Sequence, residues 1–535
     1  MQADDILLLI KPFSELGRKE KKNFKQFNHG DEEKAIKYYH ELTVMIDFFK
    51  NQSAIMENII FTLSKFEDIR NIVKAGLKRT LQLHELYEVK NFLYQLNILV
   101  NYDQKKDQSK VDCSPFIKLD NINSQLRDIF FRLDIENQNL PSFFISTKYS
   151  QKYYEKKNEL KKIFTEIQNL ANLHNQKIAK ELNLCKFEEV IVISRLQTEL
   201  LEKLLSSDYF VMIDENFANI TLKIKKTDEI LNLEKILHDL NKDCEEEAEK
   251  IQTMLTKEIL IKKEILLKAM DLIGEFDLIF AKAIFAKDYA CTIPVILSDK
   301  KQNNTVIVQA NNSFNIIQKN ELEKLNINYQ KIDIYIKKKI NVLTGSNMGG
   351  KTSVLKIIGQ LALLTKHGVP LPAEKVKIIL FDNIFFSGVA NQQDRIDLST
   401  FGNEIYTLQE VINKSGQNLF LMDEFGRATN PAEGEALYHA TLDYFSKKTS
   451  ITLISATHFN PPKKLKNCDF FQLIGLKDNF HAENNLKNIF KYMNYQPVEA
   501  EKLPKTPKSA LFIAEALGLE KEIIEKAKLN LSYGS

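Results

Sequence analysis

The stretch Gly345-Ser346-Asn347-Met348-Gly349-Gly350-Lys351-Thr352 constrains this chain more than anything else in its 535 residues. It has the form GxxxxGK[ST], and its flanks are of the required kind. An apolar run, Ile340-Asn-Val-Leu343, precedes it, and a helical stretch, Ser353 to Lys366, follows. Glycines let the backbone curl until several N–H groups face one point, and the next helix adds the positive end of its dipole. Such a unit holds polyphosphate. Lys351 is placed to neutralise β/γ-phosphate charge, the Thr352 hydroxyl to ligate Mg²⁺, and Ser353 opens the helix at the same loop.

The texture after Cys291 agrees. Short apolar runs, Thr305 to Val308, Ile340 to Leu343, Lys377 to Phe381, Leu419 to Met422 and Ile451 to Ile454, alternate with glycine loops and helices. That alternation predicts an α/β domain with a mainly parallel sheet. Leu419-Phe-Leu-Met422 ends in Asp423-Glu424. Apolar flanks bury the strand and force both carboxylates to its carboxyl end, beside the phosphate loop. There Asp423 can hold Mg²⁺ through water, and Glu424 can polarise an attacking water. Ser455-Ala-Thr-His458 closes another strand, where a histidine can sense the γ-phosphate or that water.

The first half reads differently. The chain has only 17 glycines and 12 prolines, and residues 18 to 290 carry few of them, which favours long helices. Ser150 to Asn183 lacks both residue types, as does Asp228 to Ile273, where Leu233, Leu237, Leu240, Cys244, Ala248, Ile251, Leu255 and Ile259 form an amphipathic stripe. Unbroken, the second helix would reach about 70 Å, too long for one compact domain. An arm, or a coiled pair with the earlier helix, is expected; two shorter bundled helices are the alternative. Between them Glu189 to Ile193, Tyr209 to Ile213 and Asn219 to Ile224 are strand-like, so the arm is expected to carry a small β tip. Lys223, Lys225 and Lys226 at its exit are read either as a solvated face or as phosphate contacts.

Hydrophobic residues at 44% and charged residues at 27% exclude wholesale disorder, while a net charge of +3 neither demands nor excludes nucleic acid. The five cysteines are far apart with no CxxC pair, so reduced thiols are expected. The acidic start, Met1-Gln-Ala-Asp-Asp-Ile, is unlike a signal peptide. No run of about 18 apolar residues occurs, so no membrane partner and a cytoplasmic location are expected.

At these residues the chain resembles the MutS family of DNA mismatch-repair-type ATPases. Thr344 to Thr352, with its Asn-Met pair, is similar to that family's phosphate loop. Asp423-Glu-Phe-Gly-Arg427-Ala-Thr429 is similar to its Walker B extension, and Ala456-Thr-His458-Phe459 to its Ala-Thr-His turn. Asp394, Ser399-Thr400-Phe401 and Glu404 resemble its signature loop, and Ala510 to Leu529 its C-terminal dimerisation segment. The resemblance implies a helical core at 1–125, lever helices with a clamp-like tip at 126–290, an ABC-like P-loop ATPase domain at 291–500 and a dimerisation segment at 501–535. It implies a homodimer hydrolysing ATP with Mg²⁺, in which Ser399, Thr400 and Phe401 reach the partner's nucleotide while Glu424 and His458 serve catalysis. Coupling to clamp-like DNA binding in repair or recombination is the first expectation. A reactivating role toward an adenosylcobalamin-dependent lysine aminomutase is the second.

Departures narrow this. No room precedes the helical core for the mismatch-reading and connector domains, and Phe13-Ser-Glu15 and Phe164-Thr-Glu166 match the wedge tripeptide by letter only. Mismatch reading is therefore not expected, nor is DNA cleavage, since no nuclease-like tail follows residue 535. Ser346 replaces the usual loop proline, and Asn430-Pro-Ala-Glu-Gly434 replaces a Ser-Thr-rich run. An ABC transporter ATPase is excluded by the lack of a Leu-Ser-Gly-Gly signature.

Overall fold

A computed structural model describes residues 3–51, 53–102, 115–183, 189–298, 306–345, 349–388, 400–462, 465, 467–476, 493–500, 511, 514–515 and 519–533. The chain divides into two compact units. One comprises Glu67–Ile98 and Ile122–Ala269, the other Met1–Phe66, Leu99–Asn121 and Met270–Ser535.

The first of these is built on two long helices, Gln151–Glu181 and Asp228–Ile261. Ser150 caps the first by accepting from the Tyr153 N–H, and Thr227 caps the second by accepting from Ile230. They run antiparallel: Lys156 meets Asp243 at 2.7 Å, and the His174 ring meets the Lys225 carbonyl at 3.1 Å. Cys244, Ile251, Leu255 and Ile259 are buried along one stripe of the returning helix. The expected continuation to Ile273 does not occur. The helix stops at Ile261, where the Lys262 N–H turns back onto the Ile259 and Leu260 carbonyls, and a new helix starts at Lys263. No glycine or proline marks the break. At 34 residues the returning helix is about 51 Å long.

At the far end of this pair three strands, β1 (Val190–Ser194), β2 (Phe210–Glu215) and β3 (Asn219–Ile224), form an antiparallel sheet in the order β1-β3-β2. Ile193, Ile220, Leu222 and Ile224 face inward onto Ile178, Leu182 and Leu204. Phe164-Thr-Glu166 lies inside the outgoing helix.

The other unit holds two sheets. The smaller contains β4 (Val295–Ile296), β5 (Val308–Ser313), β6 (Ile332–Ile336) and β8 (Lys375–Ile378), in the order β4-β8-β5-β6. The larger contains β7 (Ile340–Thr344), β9 (Asn383–Ser387), β10 (Asn418–Asp423), β11 (Ile451–Thr457), β12 (Cys468–Leu476) and β13 (Met493–Glu499), in the order β13-β12-β7-β11-β10-β9. All its pairings are parallel except β12 with β13. Every residue of β7 and β11 is buried, as a parallel sheet covered on both faces requires. Val342, Phe420, Met422 and Leu453 pack with Tyr438, Leu442 and Phe445 of helix Pro431–Ser446.

The first 66 residues pack with these layers. Tyr39 donates to the Thr365 and Val369 carbonyls, and the Phe27 N–H donates to the Lys366 carbonyl. Lys282 donates to Tyr38 and to the His367 carbonyl at 2.8 and 2.7 Å, under the faces of Phe24 and Tyr38. These contacts fix the last turn of helix Lys351–Lys366, whose first turn follows the phosphate loop. Ser14 of the Phe-Ser-Glu tripeptide is a helix cap, held by Asp277 at 2.6 Å.

Candidate functional site

Parallel register brings the site together. Leu343 of β7 lies beside Ala456 of β11, which lies beside Asp423 of β10. The carboxyl ends of the three strands therefore lie side by side, and Asp423 at the end of β10 lines a cleft of about 1230 Å³ together with Gly350 to Val354. Gly350, at φ 89°, makes the left-handed turn into helix Lys351–Lys366. A β-carbon there would come within 2.6 Å of the Tyr495 ring.

Lys351 is buried. Its ammonium donates to the Gly345 carbonyl at 2.9 Å and lies 3.6 Å from Glu424. Burial pulls its pKa below the usual lysine value, against the opposing pull of Glu424. The Thr352 hydroxyl donates to Asp423 Oδ2 at 2.7 Å. The other oxygen, Asp423 Oδ1, is buried with no hydrogen-bond partner among the described residues. Burial raises the Asp423 pKa, the Thr352 bond opposes this, and Glu424 adds to it.

Glu424 has φ 51°, a conformation few side-chain-bearing residues adopt, and its N–H donates to the Ala456 carbonyl at 2.9 Å. This aims its carboxylate between Lys351 and Arg427, which donates to Oε2 at 2.8 Å. The turn beyond is held from a second side, where Glu404 Oε2 accepts from the Gly426 N–H at 2.9 Å. Desolvation raises the Glu404 pKa, and the Gly426 bond lowers it.

The sequence-predicted residues Gly350, Lys351, Thr352, Ser353, Asp423 and Glu424 all line the cleft, as does Thr400 at the start of helix Thr400–Asn413. Gly345 and Gly349 are not among the lining residues. Phe401 follows Thr400, half-buried. His458 is exposed at the end of β11, its ring 4.3 Å from that of Phe459, and is not among the lining residues. Ser346, Asn347, Met348, Asp394 and Ser399 lie outside the described residues.

Several lining residues carried no sequence signal. Tyr329, Gln330 and Tyr495 also line the cleft, Tyr495 and Gln330 joined by a bond from the Tyr495 N–H to the Gln330 side chain at 3.3 Å. They come from a loop before β6 and from β13, 165 residues apart. The unusual Asn430-Pro431 pair is a helix start: the Asn430 side chain accepts from the Ala432 N–H, and proline takes the first turn.

The residues fit a hard divalent cation. A buried, unsatisfied carboxylate oxygen beside a threonine hydroxyl offers two oxygen donors, with the rest left to ligand and water. Among the described residues no group of three or more His, Cys, Asp or Glu could hold a metal alone.

Residues 341–533 match the family model of MutS domain V. The chain is 27% identical over 495 residues to an "Endonuclease MutS2" of Caldanaerobacter subterraneus, covering 87% of this chain and 56% of that protein. It is 27% identical over 486 residues to the protein of the same name from Caldicellulosiruptor bescii, covering 88% and 56%. It is 29% identical over 252 residues to one from Clostridium botulinum, covering 47% and 30%. The chain thus spans at most 56% of the length of these relatives. Among the described residues no helix is long and apolar enough to cross a membrane.

Proposed function

We propose that this chain, which matches MutS domain V over residues 341–533 and is similar to proteins named MutS2, is a MutS-family Mg²⁺-dependent ATPase that works as a homodimer and couples nucleotide state to DNA. One observation carries the ATPase reading. Thr352 and Asp423 are already paired at 2.7 Å, with Asp423 Oδ1 buried and unsatisfied beside them. That is the arrangement a phosphate-bound Mg²⁺ completes. When bound, the ion would supply charge neutralisation between the β- and γ-phosphates, held by Thr352 and Asp423.

The chain's own residues do the rest. Backbone N–H groups of the loop, from Gly345, Ser346, Asn347, Met348, Gly349 and Gly350 to Ser353, bind the phosphates. Lys351 exchanges the Gly345 carbonyl and Glu424 for phosphate oxygens. Glu424, released from Lys351, accepts a proton from the attacking water, and Arg427 holds its carboxylate in line. Tyr329 and Tyr495 offer aromatic surface to the base. His458 and the partner's copies of Ser399, Thr400 and Phe401 are proposed to complete the site around the γ-phosphate. The paired helices Gln151–Glu181 and Asp228–Ile261 serve as the lever.

DNA as target rests on the relatives' family and on the arm. A nuclease activity belongs to the names of the longer relatives. Titration of duplex and branched DNA with ATP or ADP at several salt concentrations tests the target. Nucleotide-dependent affinity that falls steeply with salt supports it. Absence of binding at low salt, with co-purification of a cobalamin enzyme, would instead support the aminomutase-reactivating role.

A further inference from the structure

The β tip has two outer strands, and they are built differently. β2 is guarded in the usual way: its register with β3 shifts between Met212 and Asp214, and it ends in Asp214 and Glu215. β1, Val190-Ile-Val-Ile-Ser194, has regular register along its whole length and carries no charge, proline or bulge. Among the described residues no strand pairs with its other edge. Val190 and Val192 are 41% and 63% exposed. Leu196 and Phe217, just beyond the strand and in the β2–β3 turn, are 92% and 104% exposed.

The hydrogen-bond phase of β1 is fixed. The Glu189 carbonyl accepts from the Ile224 N–H, and the Arg195 N–H donates to the Ala218 carbonyl. Odd-numbered residues therefore point their polar backbone groups at β3, and Val190, Val192 and the Ser194 N–H point away from it. An unguarded edge of this kind is a template for one more strand.

We propose that the added strand is β1 of a second copy of this chain, antiparallel about a two-fold axis at Val192. In that register Val192 pairs with itself by two reciprocal N–H···O=C bonds, and Val190 lies opposite Ser194. Ile191 lies opposite Ile193, extending the inward apolar face. Glu189 of each copy falls opposite Arg195 of the other, so both ends close with opposite charges. Within one chain Glu189 already meets Lys223 at 3.8 Å and Arg195 meets Glu215 at 2.9 Å. Both pairs are exposed, so exchanging or sharing them costs little.

Five residues a side bury far less than a free-standing dimer needs. The pairing is therefore a latch between copies held together elsewhere, where the effective concentration is high. In that respect it rests on the two-copy nucleotide site proposed above.

The test uses the full chain bearing Val192→Cys, a short bismaleimide, ATP, and mapping of the linked peptide. Sedimentation of the same samples reports the dimer. A 192–192 link is expected. Glu189→Arg, which sets arginine against Arg195, is expected to cut it about tenfold, and adding Arg195→Glu to recover part of the loss. A dimer without the link, or a link indifferent to Glu189→Arg, overturns the latch alone. A chain that stays monomeric with ATP overturns the two-copy reading and the latch together.

Discussion

Gly434 and Gly426 lie so close that a β-carbon at Gly434 would stand 2.5 Å from the Gly426 carbonyl oxygen. Gly434 sits inside helix Pro431–Ser446, where alanine would ordinarily gain about 1 kcal/mol. Here the clash is with backbone, which cannot rotate away. Gly434→Ala is expected to cost about 1–3 kcal/mol in a denaturant melt and to lower ATP turnover, because the displaced turn carries Glu424. An alanine variant more stable than the parent would show that the turn yields freely.

Glu404 lines the cleft and accepts from the Gly426 N–H of that turn. Glu404→Ala removes the acceptor for the Gly426 N–H, whereas Glu404→Gln keeps one. The alanine variant is expected to lose about tenfold in kcat with KM for ATP nearly unchanged, and the glutamine variant to recover most of it. A KM effect shared by both would place Glu404 in nucleotide binding instead.

Burial raises the Asp423 pKa, so the folded protein binds a proton there more readily than the unfolded chain does. Between the ordinary carboxylate value and the raised one, stability without cation must fall as pH rises. Asp423→Asn is expected to flatten that slope and to be at least as heat-stable as the parent without Mg²⁺. With Mg²⁺ and ATP the order should reverse, since only the parent gains from the ion. Melting curves across acidic to neutral pH, with and without Mg²⁺, check both halves.

Tyr495 packs against Gly350 and lines the cleft. Tyr495→Phe keeps the ring and should bind nucleotide as the parent does. Tyr495→Ala is expected to weaken binding about tenfold, read by equilibrium titration with a fluorescent ATP analogue. Equal affinity in the alanine variant would remove Tyr495 from the base-side wall.

Legibility followed the range of each interaction. The strand–loop–helix about Lys351 and the strand ending in Asp423 are local patterns, and the structure places Thr352 and Asp423 in contact. Paired arm helices and the β tip were readable for the same reason, from periodicity and β-branched runs. The stop at Lys262 was not, because a backbone turn with no glycine or proline leaves no trace in composition. Nor was the packing of residues 1–66 with the α/β layers, which depends on Tyr39 finding carbonyls more than 300 residues away. The wall of Tyr329 and Tyr495 was hidden likewise, being assembled from two distant segments. The departure at Asn430 to Gly434 is, in the structure, a helix cap followed by a glycine that lies close against the Gly426 backbone, a role that the sequence pattern does not reveal.

The central claim is that Glu424, held between Lys351 and Arg427, serves as the base in ATP hydrolysis. Glu424→Gln in the full chain, assayed for phosphate release and for ATP binding with Mg²⁺, tests it most directly. The account predicts binding within a few-fold of the parent and turnover lower by about 10²–10⁴. Turnover at the parent's rate, or a parent chain that releases no phosphate, would contradict it.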